Sequence, residues 1–252
     1  MEEIPLQRYI SESGYCSRRK ADEMLCKNSP SSSYVILVNG KLAEPGMKVG
    51  SKDEVTVNGK RIEPLESIYI KLNKPKGLVC TTASLKGERN VFDVLKKSEK
   101  GKKLLSFYRL FIAGRLDKDS RGMVLLMNDG LLANKLMHPR YGCEKEYLVK
   151  VKEGGFDPLQ IRKLFLKGVK IKGSDRKTKA KEVEYLSGKQ FRILLSEGKK
   201  RQIRRMFEST GLTVEELFRE AIGGVSIGEL NEEEWAHLTE KEIETLRENS
   251  KE

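Results

Sequence analysis

The carboxylates of Asp117 and Asp119 stand among the cations Arg115, Lys118 and Arg121, immediately ahead of the apolar run 123–127. An ionised carboxylate can attack an electrophilic carbon or stabilise a developing cation. It can also share acid–base work with a second carboxylate, as in a glycosidase. The spacing does not choose between these: residues i and i+2 share a face on an extended segment and diverge on a turn. A second concentration, Lys199, Lys200, Arg201, Arg204 and Arg205, is too dense in charge to be explained by folding alone and suits phosphate contact. Tyr147 lies in a segment whose alternation puts Tyr147, Val149 and Val151 on one face, so core packing is its ordinary reading. His138, beside Pro139, reads as a capping or packing residue, and neither histidine is assigned chemistry.

The elements that must position these groups follow from the pattern around them. The run 123–127, bounded by Gly122 and the Asn128-Asp129-Gly130 turn signal, reads as a buried strand. Asp117 then sits on the loop entering that strand, a place that holds a side chain rigidly while its carboxylate faces a cleft. Strands are predicted at 67–72, 107–114, 123–127, 145–151, 181–186, 190–196, 213–220 and 224–227, and helices at 89–97, 130–138, 157–166 and 200–210. The fold class is α+β, with flanking helices on a largely antiparallel mixed sheet. From Asn231 the chain is rich in Glu, and Trp235, Leu238, Ile243 and Leu246 at near-helical spacing predict a helix packed on the surface.

Upstream, residues 1–62 form a small unit of their own, followed by a linker at 63–66, a main domain at 67–230 and the acidic tail at 231–252. Leu6, Tyr9 and Ile10 mark one helix closed by Gly14, and Ser17 caps a second with Ala21, Met24 and Leu25 on its apolar side. Arg18, Arg19 and Lys20 occupy the first turn, where cations oppose the helix dipole, a local cost that phosphates would offset. Two strands ending in Asn-Gly turns follow, at 34–40 and 53–59. The segment 27–33 reads as a flexible surface insertion.

The balance of 49 Lys plus Arg against 37 Asp plus Glu gives +12, which calls for a polyanion, nucleic acid first and an anionic membrane second. No stretch approaches the apolar length of a membrane span and the N-terminal residues lack a signal pattern, so no membrane partner is expected. Cys16, Cys26, Cys80 and Cys143 are scattered without metal or disulfide spacing, which predicts reduced thiols in a cytoplasmic chain.

Gly114-Arg115-Leu116-Asp117-Lys118-Asp119-Ser120-Arg121-Gly122 resembles the signature of the RsuA-type pseudouridine synthases acting on ribosomal RNA. Three further segments recur in the family's order: Lys71-Leu72-Asn73-Lys74-Pro75-Lys76-Gly77, Glu144-Lys145-Glu146-Tyr147-Leu148-Val149, and the arginine-rich stretch 197–207. The resemblance covers about residues 67–230, and residues 1–62 resemble an S4-like RNA-binding domain. It implies Asp117 as the essential carboxylate, Tyr147 over the target uracil and Arg204 as the partner that holds Asp117. Asp119 is left to hydrogen bonding of the turn or a cation. It implies Arg115 as a holder of the extruded nucleotide, with a structural ion pair to Asp119 or Asp129 as the equal alternative, and Lys74, Lys76, Arg18, Arg19, Lys20, Lys199, Lys200, Arg201 and Arg205 as RNA contacts. No cofactor or metal is required, and a monomer acting on ribosomal RNA, with transfer RNA as the alternative, is expected. Ser120 stands where threonine is commoner, and Glu220 where related sequences are often apolar or basic. The rivals are an RNA-binding or ribosome-assembly factor that kept the scaffold, and a nucleoside hydrolase using Asp117 with Asp119.

Overall fold

A computed structural model describes residues 3–83, 86–173 and 176–250 and divides the chain into two compact units. The first runs to Ile68 and takes in Lys100–Leu110. In it, β1 (Ile4–Pro5) leads into α1 (Leu6–Glu12), and α2 (Arg18–Cys26) starts where the Ser17 hydroxyl accepts from the Lys20 amide at 3.2 Å. Strands β2 (Ile36–Val38), β3 (Lys41–Leu42), β5 (Val55–Val57) and β6 (Lys60–Ile62) form a sheet in the order β3-β2-β5-β6, and β4 (Lys48–Val49) pairs with β1. Leu6, Ile10, Ala21, Met24 and Leu25 meet Ile36 and Val55 in one core. The 27–33 segment is tied at its start: the Asn28 amide donates to the Ile36 and Ala43 carbonyls at 2.9 and 2.8 Å and accepts from the Ile36 amide. Beyond α3 (Val91–Leu95) lies a helix that the sequence pattern did not reveal, α4 (Glu99–Phe107), where the reading placed the start of a strand at 107.

The second unit is built on a nine-stranded sheet. Its strands are β7 (Tyr69–Lys74), β8 (Phe111–Ala113), β9 (Arg121–Met127), β10 (Lys145–Val151), β11 (Glu182–Tyr185), β12 (Gln190–Leu195), β13 (Val214–Ile222), β14 (Val225–Ser226) and β15 (Trp235–His237). The main order is β11-β12-β10-β13-β9-β7-β15, with every pairing antiparallel except β13 with β9. Helices α5 (Gly130–Met137), α6 (Pro158–Lys167), α7 (Gln202–Glu208) and α8 (Glu240–Glu248) flank it. Met123, Leu125 and Met127 pack with α5 and α8, while Phe165, Phe191 and Phe207 stack under α6 and α7.

The C-terminal segment corrects the reading of a single surface helix. Trp235–His237 adds a strand to β7, pairing Trp235 with Leu72 and His237 with Ile70, and a capping box of Thr239 and Glu242 then starts α8. Leu238, Ile243 and Leu246 are buried in the core, because β15 turns the apolar positions inward.

Candidate active site

One rung of the sheet crosses five strands and carries Ile193, Tyr147, Arg219, Gly122 and Lys74 in register. Residues opposite each other in a ladder project to the same face, so Tyr147 shares a face with Arg219 and Lys74. Both cations are spent on the loop that enters β9. Lys74 is fully buried, its Nζ donating to the carbonyls of Ser120 at 2.6 Å, Pro75 at 2.9 Å and Lys118 at 3.3 Å. Arg219, 2% exposed, donates from Nη2 to the Gly114 carbonyl at 2.7 Å, from Nη1 to Arg115 at 3.5 Å and from Nε to Met123 at 2.8 Å. The Lys118 carbonyl also accepts from the Gly77 amide at 2.8 Å, and the Cys80 thiol from the Leu116 amide. The loop's backbone is thus held at both ends by buried cations.

Reading Lys74 as a phosphate contact is therefore corrected: no surface of it remains for RNA. Burial pushes its ammonium below the ordinary lysine range, while nearby charges, Asp119 and Asp117 among them, push back. Lys76 is exposed, without a side-chain partner among the described residues.

Within the loop the two carboxylates diverge, because the Ser120 amide donates to the Asp117 carbonyl at 3.1 Å and closes a turn between them. Asp119 faces α7, where Arg201 and Arg204 each reach its carboxylate at 3.2 Å. Arg204, 6% exposed, also donates to the carbonyls of Asp119 and Val214. The pairing of Arg204 with Asp117 is thus replaced by one with Asp119, the carboxylate the turn presents to the helix. Asp117 is half-buried, and its carboxylate has no hydrogen bond or ion pair among the described residues. It is nonetheless within the electrostatic reach of Lys74 and Arg204. A carboxylate held in place by its backbone, surrounded by committed cations and left without a partner is free to act on a substrate carbon.

Tyr147 is 8% exposed on β10, with Val149 and Val151 buried behind it, and its hydroxyl has no hydrogen bond among the described residues. The guanidinium of Arg115 is exposed and has no partner among the described residues: Asp129 is engaged with the α5 amides and the Tyr69 hydroxyl, and Asp119 with Arg201 and Arg204. The arginine-rich stretch is less free than its density suggested. Lys199 donates to Thr178 and pairs with Glu197, and Arg205 donates to the Lys172 carbonyl at 2.7 Å and to that of Lys200. Lys200 is exposed, and Arg201 faces solvent beside Asp119. Among the described residues no group of three or more His, Cys, Asp or Glu could hold a metal.

The family profile described as RNA pseudouridylate synthase matches residues 68–209. The chain belongs to that family. Among the synthase's relatives, the ribosomal large subunit pseudouridine synthase B of Bacillus subtilis is 36% identical over 96% of this chain and 95% of its own. The dual-specificity RNA pseudouridine synthase RluF of Escherichia coli K12 is 40% identical over 95% of this chain and 77% of its own. A solved pseudouridylate synthase superposes with a TM-score of 0.66 at 29% identity, covering 96% of this chain and 99% of that one.

One feature of the synthase's site escaped sequence reading. Arg219 lies in an ordinary alternating strand, and only the parallel step of β13 onto β9 brings it to the loop carbonyls. Asp119 is held by cations: burial pushes its carboxyl up, but Arg204 and Arg201 outweigh this and keep it below the ordinary carboxylate range. A depressed folded pKa contributes stability above the unfolded value, near ~4, that is lost as pH falls through the folded value. Asp119→Asn should therefore melt below wild type at neutral pH, with the gap closing below about pH 4. A gap constant across that range in paired melting curves would exclude the coupling.

Proposed function

We propose that the chain isomerises a specific uridine of ribosomal RNA to pseudouridine, with Asp117 as the reactive carboxylate, as a cytoplasmic monomer. In this reaction the bond from uracil N1 to the sugar C1′ breaks and C5 bonds to C1′. The C5 proton leaves and N1 ends protonated, so neither a metal nor a redox partner is consumed. The observation that carries the reading is the unpartnered Asp117 carboxylate on a loop pinned by Lys74 and Arg219. A pure binder gains nothing from a free carboxylate in a cleft meant for phosphates, which it would repel. A two-carboxylate hydrolase would need Asp119, and that group is occupied by Arg201 and Arg204. Ribosomal RNA is favoured as substrate by the Bacillus subtilis relative, whose name assigns it to the large ribosomal subunit.

A uridine within folded RNA must leave its stack to reach Asp117, and the exposed Arg115 beside it suits holding the extruded nucleotide. Tyr147, on the face of the loop's clamps, supplies a ring for the uracil and a free hydroxyl near the sugar. Tyr147→Phe should lower turnover roughly 10²-fold or more while RNA affinity stays within about threefold. Full turnover in the folded variant would remove the hydroxyl from the mechanism. The first unit serves as an S4-like RNA-binding module. Arg18 and Arg19 are exposed without side-chain partners among the described residues, whereas Lys20 pairs with Glu23. Pseudouridine mapping of total RNA, transfer RNA included, from cells with and without the gene tests the whole reading. One ribosomal site should vanish and return with wild type but not with Asp117→Asn. An unchanged map means the protein is a silent binder.

A further inference from the structure

We propose that Lys170, Lys172, Lys177 and Lys179, on the two arms of the Val169–Thr178 bridge, form a ridge that grips the RNA phosphate backbone beside the target nucleotide. The inference deepens the functional reading above and rests on it for the nature of the ligand. From Lys167 to Lys181 the sequence places Lys or Arg at seven of fifteen positions, against one acid, Asp175, before Glu182. Lys170, Lys172, Lys177 and Lys179 are exposed, and their ammonium groups have no ion pair or hydrogen bond among the described residues. Several other cations of this unit are paired. Lys71 pairs with Glu242, Lys118 with Glu88, and Arg121 with Glu216 and Glu232. A row of like charges without counter-charge is a cost to folding that a polyanion would offset.

The ridge is built on a fixed base. Val169 and Thr178 exchange both backbone hydrogen bonds at 2.9 Å, and Ile171 and Thr178 are buried. The Thr178 hydroxyl accepts from Lys199 at 2.9 Å, and the Lys172 carbonyl accepts from Arg205 at 2.7 Å. Both anchors belong to the arginine-rich stretch, whose Arg205 holds the ridge while Arg201 and Arg204 hold Asp119. The Arg205 amide donates to the Arg201 carbonyl at 3.0 Å, so the arginine that holds the base of the ridge lies one helical turn from an arginine that holds Asp119. A backbone gripped by the ridge therefore lies beside the loop that carries Asp117. An anionic membrane would instead call for apolar side chains beside the cations, and Ile171 is turned into the core.

The test is binding of polyuridylate as a function of salt, with no turnover required, so it stays separate from whether wild type forms pseudouridine. Each phosphate neutralised contributes ~0.7 to the slope of log affinity against log salt on a single strand. Lys170→Gln/Lys172→Gln/Lys177→Gln/Lys179→Gln should therefore flatten the slope by about 3 and weaken binding at least roughly tenfold at low salt. With ribosomal RNA as substrate the loss should appear in KM. Lys241→Gln on α8 should leave the slope unchanged. If the quadruple variant does not fold, the four single variants should each flatten the slope by ~0.7. A folded quadruple variant with the wild-type slope and affinity overturns the proposal, as does an equal loss for Lys241→Gln.

Discussion

Asp117→Asn is expected to yield a folded protein that binds RNA but does not turn it over, with activity down by at least ~10³-fold. That corresponds to about 4 kcal/mol of lost transition-state stabilisation. The argument for separating activity from folding is local. The contacts that fix the loop go to its backbone, to Asp119 or to the Lys118 ammonium: Lys74 to the Ser120 and Lys118 carbonyls, Arg219 to those of Gly114 and Arg115, Arg204 to Asp119, and Lys118 to Glu88. The Asp117 carboxylate takes part in none of them, and asparagine fills nearly the same volume. Stability should stay within about 0.5 kcal/mol of wild type, as for a substitution that breaks no buried contact. RNA affinity should hold or rise slightly, since a charge that repels phosphate is gone. Release of tritium from C5-labelled uridine in RNA under single-turnover conditions measures the loss, and melting curves measure the fold. Tritium release at the wild-type rate would take the reaction away from Asp117. A collapse in melting temperature would make Asp117 a structural residue.

Part of this site was legible in the residues and part was not, for a physical reason. β10 falls at 145–151 as its alternation predicts, because a half-buried antiparallel strand writes its pattern in period two. The buried strand at the end of the Asp117 loop was equally plain, though it begins two residues earlier, at Arg121. The misreadings concern charges whose role depends on distant backbone. A lysine beside a proline in a turn is ordinarily exposed, and Lys74 is buried only because the carbonyls of residues 118 and 120 enclose its ammonium. Likewise, the choice of Asp119 over Asp117 as partner for Arg204 is made by a turn of one hydrogen bond, which i and i+2 spacing does not encode. Trp235 and Leu238 fit a helical period, yet the open edge of β7 takes Trp235–His237 as a strand. Pairing across the chain outweighed the local period in each case.

Gly122→Ala should be the most damaging small substitution in the second unit. Gly122 has φ +104°, and a Cβ built there would lie 2.3 Å from the Arg219 carbonyl oxygen and 2.6 Å from its amide nitrogen. Both are backbone atoms, so no side-chain rotation relieves the clash. The strained dihedral costs about 1–3 kcal/mol and the forced overpacking about 1–3 more. A shift of ~4 kcal/mol in a unit of this size lowers the melting temperature by about 8–16 °C. The damage should not stop at stability. β13 and β9 are joined through Phe218 with Arg121 and Arg219 with Gly122, so parting them moves Arg219 and releases the Gly114 and Arg115 carbonyls it holds. Activity should therefore fall even where the variant is still folded, unlike that of a core truncation remote from the loop, such as Phe165→Leu under α6. The comparison is between tritium release and melting for the two variants at a temperature where both are folded. Equal residual activity would mean that the loop does not depend on the β13–β9 contact.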